Sequence, residues 1–139
     1  MKVLLAIDDS KFSEAATRAI IDHMRPEPTE VCVLHVAEIP IVPYTYVGPV
    51  REESLKLSKD LVELHGAMLT KAGYKVQTVV EEEGDPTSKI IDRAEHWNAD
   101  VIVLGSHGRK GLDRFLMGSV AESVMRHARC SVLVVRSPA

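Results

Sequence analysis

The segment GSHGRKGLDRFLMGSVAES, residues 105–123, directly follows the apolar run Val101 to Leu104 and leads into a helical pattern. Two residues separate Gly105 from Gly108, and nine more precede Gly118. Because glycine has no side chain, its backbone approaches an anion closely and adopts positive φ without strain. The helix that follows offers free amides and a favourable dipole to negative charge. The segment therefore predicts an anion-binding turn between a strand and a helix.

Apolar runs of strand length predict the rest of the sheet. They are Val3 to Ile7, Val31 to Val36, Val76 to Val80, Val101 to Leu104, and Val132 to Val135. Their nearly continuous hydrophobicity is typical of parallel strands covered on both faces. With helical patterns between them and right-handed crossovers, they predict a doubly wound open α/β sheet of five parallel strands with helices on both faces. A length of 139 residues predicts a single domain over residues 1–139.

Helical spacing of apolar residues fills each gap between the runs. The first helix is predicted to bury Phe12, Ala15, Ala19, Ile20 and His23, with Asp9 or Ser10 as its N-cap. The second presents Leu57, Leu61, Leu64 and Met68 and ends near Gly73, and the third begins at Asp85 and Pro86 and presents Ile90, Ile91, Ala94 and Trp97. The fourth presents Ala121, Val124, Met125 and Ala128, with Ser119 and Glu122 spaced as a capping box.

Composition excludes several classes of function. The 17 basic and 20 acidic residues leave a net charge of −3, so no positive field favours nucleic acid. Every apolar run is far shorter than the roughly 20 residues that span a bilayer. The start MKVLLAIDDS lacks a cleavage site, which predicts a cytoplasmic protein that keeps its first strand. Cys32 and Cys130 fit neither a disulfide framework nor a metal site and are interpreted as reduced core thiols.

Three other features have plainer interpretations. The stretch Ile39 to Pro49, with three prolines and two tyrosines, is predicted to be a surface loop that leans over the site. The acidic run Glu81 to Glu83 ends a strand, where consecutive side chains point to opposite faces, so it indicates a solvated strand end and not a metal site. His35 is interpreted as a core histidine with its hydrogen bonds satisfied, and the helical histidines show no ligand spacing.

The glycine-rich segment resembles the signature of the universal stress protein family, in its ATP-binding branch. That signature is Gly, two residues, Gly, nine residues, then Gly followed by Ser or Thr. Gly105, Gly108, Gly118 and Ser119 match it. The stretches VLLAIDDS, VCVLHVAE and CSVLVVR are similar to the first, second and last strands of the family.

The resemblance implies a strand order of 3-2-1-4-5 and an ATP site at the ends of the first, second and fourth strands. Asp8 would hold the ribose, Val36 would read the adenine edge, and the γ-phosphate would lie near Ser119. The full set of implied nucleotide-binding residues is Ala6, Asp8, Val36, Gly105, Ser106, His107, Gly108, Arg109, Lys110, Gly111, Gly118, Ser119 and Val120. Mg²⁺, where present, would be held by phosphate and water oxygens and not by side chains.

Some of these residues carry a second interpretation. Asp8 by itself is typical of a turn or helix-capping carboxylate, and Asp9 is assigned the structural role beside the N-cap. Ser119 is able to cap a helix with its hydroxyl while its amide meets a phosphate. His107 either binds a phosphate or is a solvated loop residue. A side chain at Gly108 or Gly118 is expected to occupy the space of a phosphate.

Other nucleotide and enzyme classes fit less well. The segment lacks the Gly-Lys-Ser/Thr ending of a P-loop, and it follows the fourth strand, whereas the dinucleotide-binding fingerprint follows the first. A receiver domain would need an acceptor aspartate after the third strand, and a hydrolase would need a serine elbow or a Cys-His pair. We therefore expect an ATP-dependent regulatory module, with slow ATP hydrolysis or phosphotransfer as the alternative. The last strand, Ser131 to Val135, is predicted to lie at a sheet edge and to pair two copies into a homodimer.

Overall fold

A parallel sheet forms the centre of the computed structural model, which describes residues 1–82, 84–108 and 116–137. Its strands are β1 (Lys2–Ala6), β2 (Glu30–Ala37), β3 (Lys75–Glu82), β4 (Val101–Gly105) and β5 (Ser131–Val135). They lie side by side in the order β3-β2-β1-β4-β5, and every neighbouring pair is parallel. The predicted fold class and strand order are confirmed.

Helices cover both faces of the sheet. One face, with Leu5, Val33 and Val103, packs under α1 (Lys11–His23) and α2 (Val47–Lys71). The other, with Leu4, Cys32 and Ile102, packs under α3 (Pro86–Trp97) and α4 (Ser119–His127). These two apolar layers lie on opposite sides of the three central strands, so the carboxyl ends of those strands are held at a common edge.

The first two helices match the predicted faces only in part. In α1 the buried residues are Ser13, Ala16, Thr17 and Ile20, so Ile20 is confirmed, whereas His23 is exposed. In α2 they are Ser58, Val62, His65, Gly66 and Leu69, whereas Leu57 and Leu64 are more than half exposed. The prediction failed at His23, Leu57 and Leu64 because it followed hydrophobicity alone, and both helices turn small or polar side chains toward the sheet.

Capping hydrogen bonds fix the start of α3 and the end of α2. The side chain of Asp85 accepts a hydrogen bond from the Ser88 amide at 3.1 Å, and Pro86 occupies the first turn as predicted. At the end of α2, Gly73 has φ of +97°. Its amide bonds the Thr70 carbonyl and the Tyr74 amide bonds the Leu69 carbonyl, which is the Schellman arrangement.

The capping box predicted at α4 does not form. Gly118 is the N-cap, no side chain caps the helix, and Ser119 is its first residue. Glu122 pairs with Arg126 one turn along the helix, at 2.9 Å. Among the described residues, no side chain satisfies the first amides of this helix, because Gly118 at the cap position has none.

The stretch Ile39 to Pro49 is only partly a loop. Its residues Tyr44–Tyr46 form a short 3-10 turn, and α2 begins at Val47. Pro49 is tolerated because the first helical turn needs no amide donor there. The N-terminal half of α2 therefore replaces part of the predicted loop beside the strand ends.

At the end of β3 the predicted alternation of faces is present, but the described carboxylates are ion-paired and only partly exposed. Glu81 pairs with Arg93 of α3, and Glu82 pairs with Arg51 of α2, so the two carboxylates point to opposite faces of the sheet. Glu83 lies outside the described residues. Cys32 and Cys130 are free thiols, and burial raises the pKa of Cys32 to about 11. No helix in the described ranges is both long and apolar enough to cross a bilayer.

Candidate functional site

A cleft of about 1010 Å³ opens at the carboxyl ends of β1, β2 and β4. The sheet forms its floor through Ala6, Val36 and Leu104. The N-terminal half of α2 forms one wall, and the first turn of α4 lies on the other side of β1. Because β2 and β4 flank β1, a ligand lying across the cleft would span about two strand spacings, roughly 10 Å.

The structure brings most of the sequence-predicted site residues to this cleft. Its lining includes Ala6, Asp8, Val36, Gly105, His107, Gly108, Ser119 and Val120. Ser106 and Gly118 lie directly behind the lining and hold the loop together. Arg109, Lys110 and Gly111 lie outside the described residues. The predicted set therefore converges at one place, although the sequence separates its members by more than a hundred positions.

Asp8 presents its two carboxylate oxygens to different surroundings. Oδ1 accepts hydrogen bonds from the Ser10 amide and the Ser13 hydroxyl, both at 2.9 Å. Oδ2 lies at the Gly108 backbone, where a Cβ on that glycine would come within 2.9 Å of it. Asp8 therefore has a structural role beside Ser10, the N-cap of α1, while its second oxygen lies toward the cleft.

Close packing explains the three signature glycines. A Cβ on Gly105 would lie 2.5 Å from the Phe12 Cβ and 2.9 Å from its backbone, so α1 leaves no space for a side chain. A Cβ on Gly118 would lie 3.0 Å from the His107 Cα and the Ser106 carbonyl. Of the described glycines, only Gly73 and Gly84 have positive φ. The expected close approach is present, but the approaching groups include the protein's own backbone, and the expected positive φ is absent from the signature positions.

The backbone of Ser106 joins three elements. Its amide donates to the Val135 carbonyl of β5, and its carbonyl accepts from the Gly118 amide at the start of α4, both at 2.7 Å. Its side chain is buried and lies 3.0 Å from His107 Nδ1. Since the Gly118 amide is thereby used, the amides that α4 offers to the cleft begin at Ser119.

His107 lines the cleft and has hydrogen-bond partners at both ring nitrogens. Its Nε2 donates to the carbonyl of Leu116, and its Nδ1 accepts from the Ser106 hydroxyl. Its ring also packs against Phe12 at an angle of 46°, with centroids 5.1 Å apart. The Nε2 contact ties His107 to Leu116, and neither ring nitrogen lacks a partner within the protein.

Charge is distributed unevenly along the cleft. Asp8, Asp9, Glu38 and Glu53 contribute carboxylates, whereas no lysine or arginine lies among the described lining residues. Glu38 follows β2 and Glu53 lies on α2, so these two belong to the end of the cleft remote from α4. The α4 end offers amides and a positive dipole end instead. This polarity suits a ligand with hydrogen-bond donors at one end and an anionic group at the other.

Sequence reasoning missed part of the lining. Glu53, Ser54, Leu57, Ser58 and Leu61 of α2 face the cleft, whereas Leu57 and Leu61 had been predicted only as part of the apolar face of the second helix. His35 is half-buried at the cleft wall and donates from Nδ1 to the Ile7 carbonyl at 2.7 Å. Its hydrogen bond is satisfied as predicted, although it lies at the site and not in the core. Within the described ranges, no group of three or more His, Cys, Asp or Glu residues could hold a metal ion.

Together the sheet order and the cleft define a doubly wound α/β protein with a candidate ligand site at the switch point of its sheet. A family model described as Universal stress protein family matches residues 1–136, and the chain belongs to that family. Universal stress protein MJ0531 of Methanocaldococcus jannaschii is 34% identical, in an alignment covering 99% of this chain and 82% of the relative.

Solved structures show the same architecture. Hypothetical protein MJ0577 is 29% identical, with a TM-score of 0.89 over 99% of this chain and 96% of its own. The universal stress protein from Archaeoglobus fulgidus, solved in complex with dAMP, is 23% identical, with a TM-score of 0.75 over 97% of each chain. At that identity the second likeness shows the fold alone.

The packing of Gly105 against α1 generates a stability prediction. Gly105→Ala places a methyl group in contact with Phe12, and overpacking of this kind costs roughly 1–3 kcal/mol of unfolding free energy. Gly48→Ala is the matched control, since a Cβ there meets nothing within 4 Å. Urea unfolding should show a lower midpoint for Gly105→Ala and an unchanged or slightly higher one for Gly48→Ala. Equal midpoints for Gly105→Ala and the parent would contradict the packing role.

Proposed function

We propose that the protein is a cytoplasmic regulatory module that binds ATP in the cleft at the carboxyl ends of β1, β2 and β4. The observation that carries the proposal is the contact between Asp8 and Gly108 in the middle of the cleft. Carboxylate acceptors lie on the side of β2, and backbone amide donors lie at the start of α4. A nucleoside triphosphate has the same order of groups: amine-bearing base, hydroxyl-bearing sugar, and anion.

The cleft dimensions fit such a ligand. Its volume of about 1010 Å³ lies at the upper end of the range usual for small-molecule sites. The adenine would lie over Val36. Glu38 and Glu53 line the cleft at this end and would offer carboxylate acceptors to its exocyclic amine. The ribose would meet Asp8 Oδ2, and the phosphates would extend past Gly108 toward the amides of Ser119 and Val120.

The phosphate end needs positive potential, which the described lining supplies only through amides. Open helical amides and the helix dipole are a ready anion site. Arg109 and Lys110 belong to the proposed phosphate-binding set by resemblance to the family. Mg²⁺ bound between phosphate oxygens would add the remaining positive charge, and it would take its other ligands from water.

Family membership supports the proposal. A regulatory role fits better than catalysis because the described residues around the phosphate end include donors but no free base. The alternative, slow ATP hydrolysis or phosphotransfer in the same cleft, needs a residue that orients the attacking group.

ATP binding is expected to depend on the exposed oxygen of Asp8. Asp8→Asn keeps Oδ1 as an acceptor for Ser10 and Ser13 but replaces Oδ2 by a donor. A hydrogen bond to a charged group is worth about 1.5–3 kcal/mol, so ATP affinity should fall about tenfold or more. Calorimetric titration measures this, with Asp92→Asn on the exposed side of α3 as a control for the loss of one charge. Unchanged affinity in Asp8→Asn would refute the site.

The proposed homodimer uses the open edge of β5. The Val135 carbonyl points toward β4, where it accepts from the Ser106 amide. Polar backbone groups alternate along a strand, so those of Val134 face the open edge and are available to a second copy. A two-fold axis would pair the two β5 strands antiparallel, which is the association that resemblance to the family implies.

Val134→Pro should shift the protein toward monomer in analytical ultracentrifugation at micromolar concentration. Proline removes one edge donor while leaving the β4 side of the strand intact. Val134→Thr is the control, since it keeps the amide and the branched shape. A parent that sediments as a monomer, or a proline variant that remains as dimeric as the parent, would contradict pairing at this edge.

We expect ATP to be held without rapid turnover. A general base must accept a proton from the attacking water, and both ring nitrogens of His107 are already bonded within the loop. Phosphate release should therefore be orders of magnitude below roughly 1 per second. His107→Ala should not lower the rate per bound ATP, and His96→Ala, another histidine bonded to a backbone carbonyl, serves as control. Turnover near one per second that is abolished only in His107→Ala would favour the enzyme.

A further inference from the structure

Ser13 contacts Asp8 twice. The Ser13 hydroxyl accepts a hydrogen bond from the Asp8 amide at 2.8 Å and donates one to Asp8 Oδ1 at 2.9 Å. It therefore fixes both the backbone and the side chain of Asp8. With the Ser10 amide also on Oδ1, that oxygen has two donors, and rotation of the carboxylate would break both contacts.

Thr17 and His65 form a further pair of contacts behind Ser13, on the side away from Asp8. The Ser13 carbonyl accepts the Thr17 hydroxyl at 3.0 Å, and the Thr17 oxygen lies 2.7 Å from His65 Nδ1. Because the single hydroxyl proton of Thr17 is used on Ser13, Nδ1 of His65 must be the donor. Ser13, Thr17 and His65 are 3%, 0% and 4% exposed.

The chain of contacts joins the helix that walls the cleft to the end of β1. His65 lies on α2, whereas Thr17 and Ser13 lie on α1. Burial lowers the pKa of His65, and the negative charges of Glu14 and Asp8 act in the opposite direction. A neutral imidazole satisfies the geometry, since only Nδ1 needs to carry a proton in this contact.

We propose that Ser13 is a positioning residue for nucleotide recognition, which holds Asp8 with Oδ2 toward the cleft and so sets the preference for a ligand that carries ribose hydroxyls. The inference rests on the proposed ATP site. It goes beyond that site in assigning Ser13, a side chain only 3% exposed at the lining of the cleft, to the selectivity for the sugar through its hold on Asp8.

The test is the ratio of affinities for ATP and 2′,3′-dideoxy-ATP, which lacks both ribose hydroxyls. Calorimetry on the full chain should show that the parent prefers ATP. Ser13→Ala should lower the affinity for ATP about tenfold and leave that for the dideoxy nucleotide within about twofold. Ser88→Ala is the matched control, because it removes a serine hydroxyl that donates to the carboxylate of Asp85 at 3.1 Å on another helix, and it should leave the ratio unchanged.

The outcomes distinguish a failure of the Ser13 inference from a failure of the proposed ATP site. Equal losses for both nucleotides in Ser13→Ala would show that Ser13 only stabilises α1, which would overturn the inference. A parent that binds both nucleotides equally would overturn it too and leave ATP binding intact, whereas a parent that binds neither would remove the proposed function and the inference with it. If Ser13→Ala does not fold, Ser13→Cys keeps the volume with a weaker donor and should reduce the same ratio.

Discussion

The contact between Gly105 and Phe12 determines the arrangement of the whole cleft. At this point the backbone of β4 touches the first turn of α1 so closely that no Cβ fits between them. The contact brings α1, and with it Asp8 and Ser13, against the glycine-rich loop. It also places the Phe12 ring beside His107. Asp8 and the glycine-rich loop are therefore neighbours, because two backbone segments pack without an intervening side chain.

The sequence predicted correctly those features that a repeated pattern marks, namely the apolar runs and the spaced glycines. The apolar runs predicted every strand, and Gly105, Gly108 and Gly118 located the loop, because the carboxyl ends of parallel strands meet at one edge of a sheet. The reason given for the glycines was only half right. Close approach is present, but at Gly105 and Gly118 the glycines admit the protein's own backbone, and a bulky side chain there would distort the loop itself.

The missed features depend on tertiary contacts between polar groups. Hydrophobic periodicity gives no weight to Ser13, Thr17 or His65, although these residues face the core and the apolar Leu57 does not. They are buried because they satisfy one another across α1 and α2, which a pattern within one helix does not reveal. The contacts of His107 were also missed, since hydrophobic periodicity gives no information on its hydrogen bonds to the Ser106 hydroxyl and the Leu116 carbonyl.

The charges of the cleft indicate how a nucleotide would be held and released. Glu38 and Glu53 would repel a triphosphate at the end of the cleft remote from α4, which favours an orientation with its phosphates toward α4. There the described groups are amides, which bind anions by fixed dipoles. Amide dipoles contribute less attraction than buried ion pairs would, so a site that relies on them would depend more on Mg²⁺. Because the Ser106 amide donates to the Val135 carbonyl, the backbone that leads to Gly108 is bonded to β5, the strand whose open edge is proposed to meet a second copy.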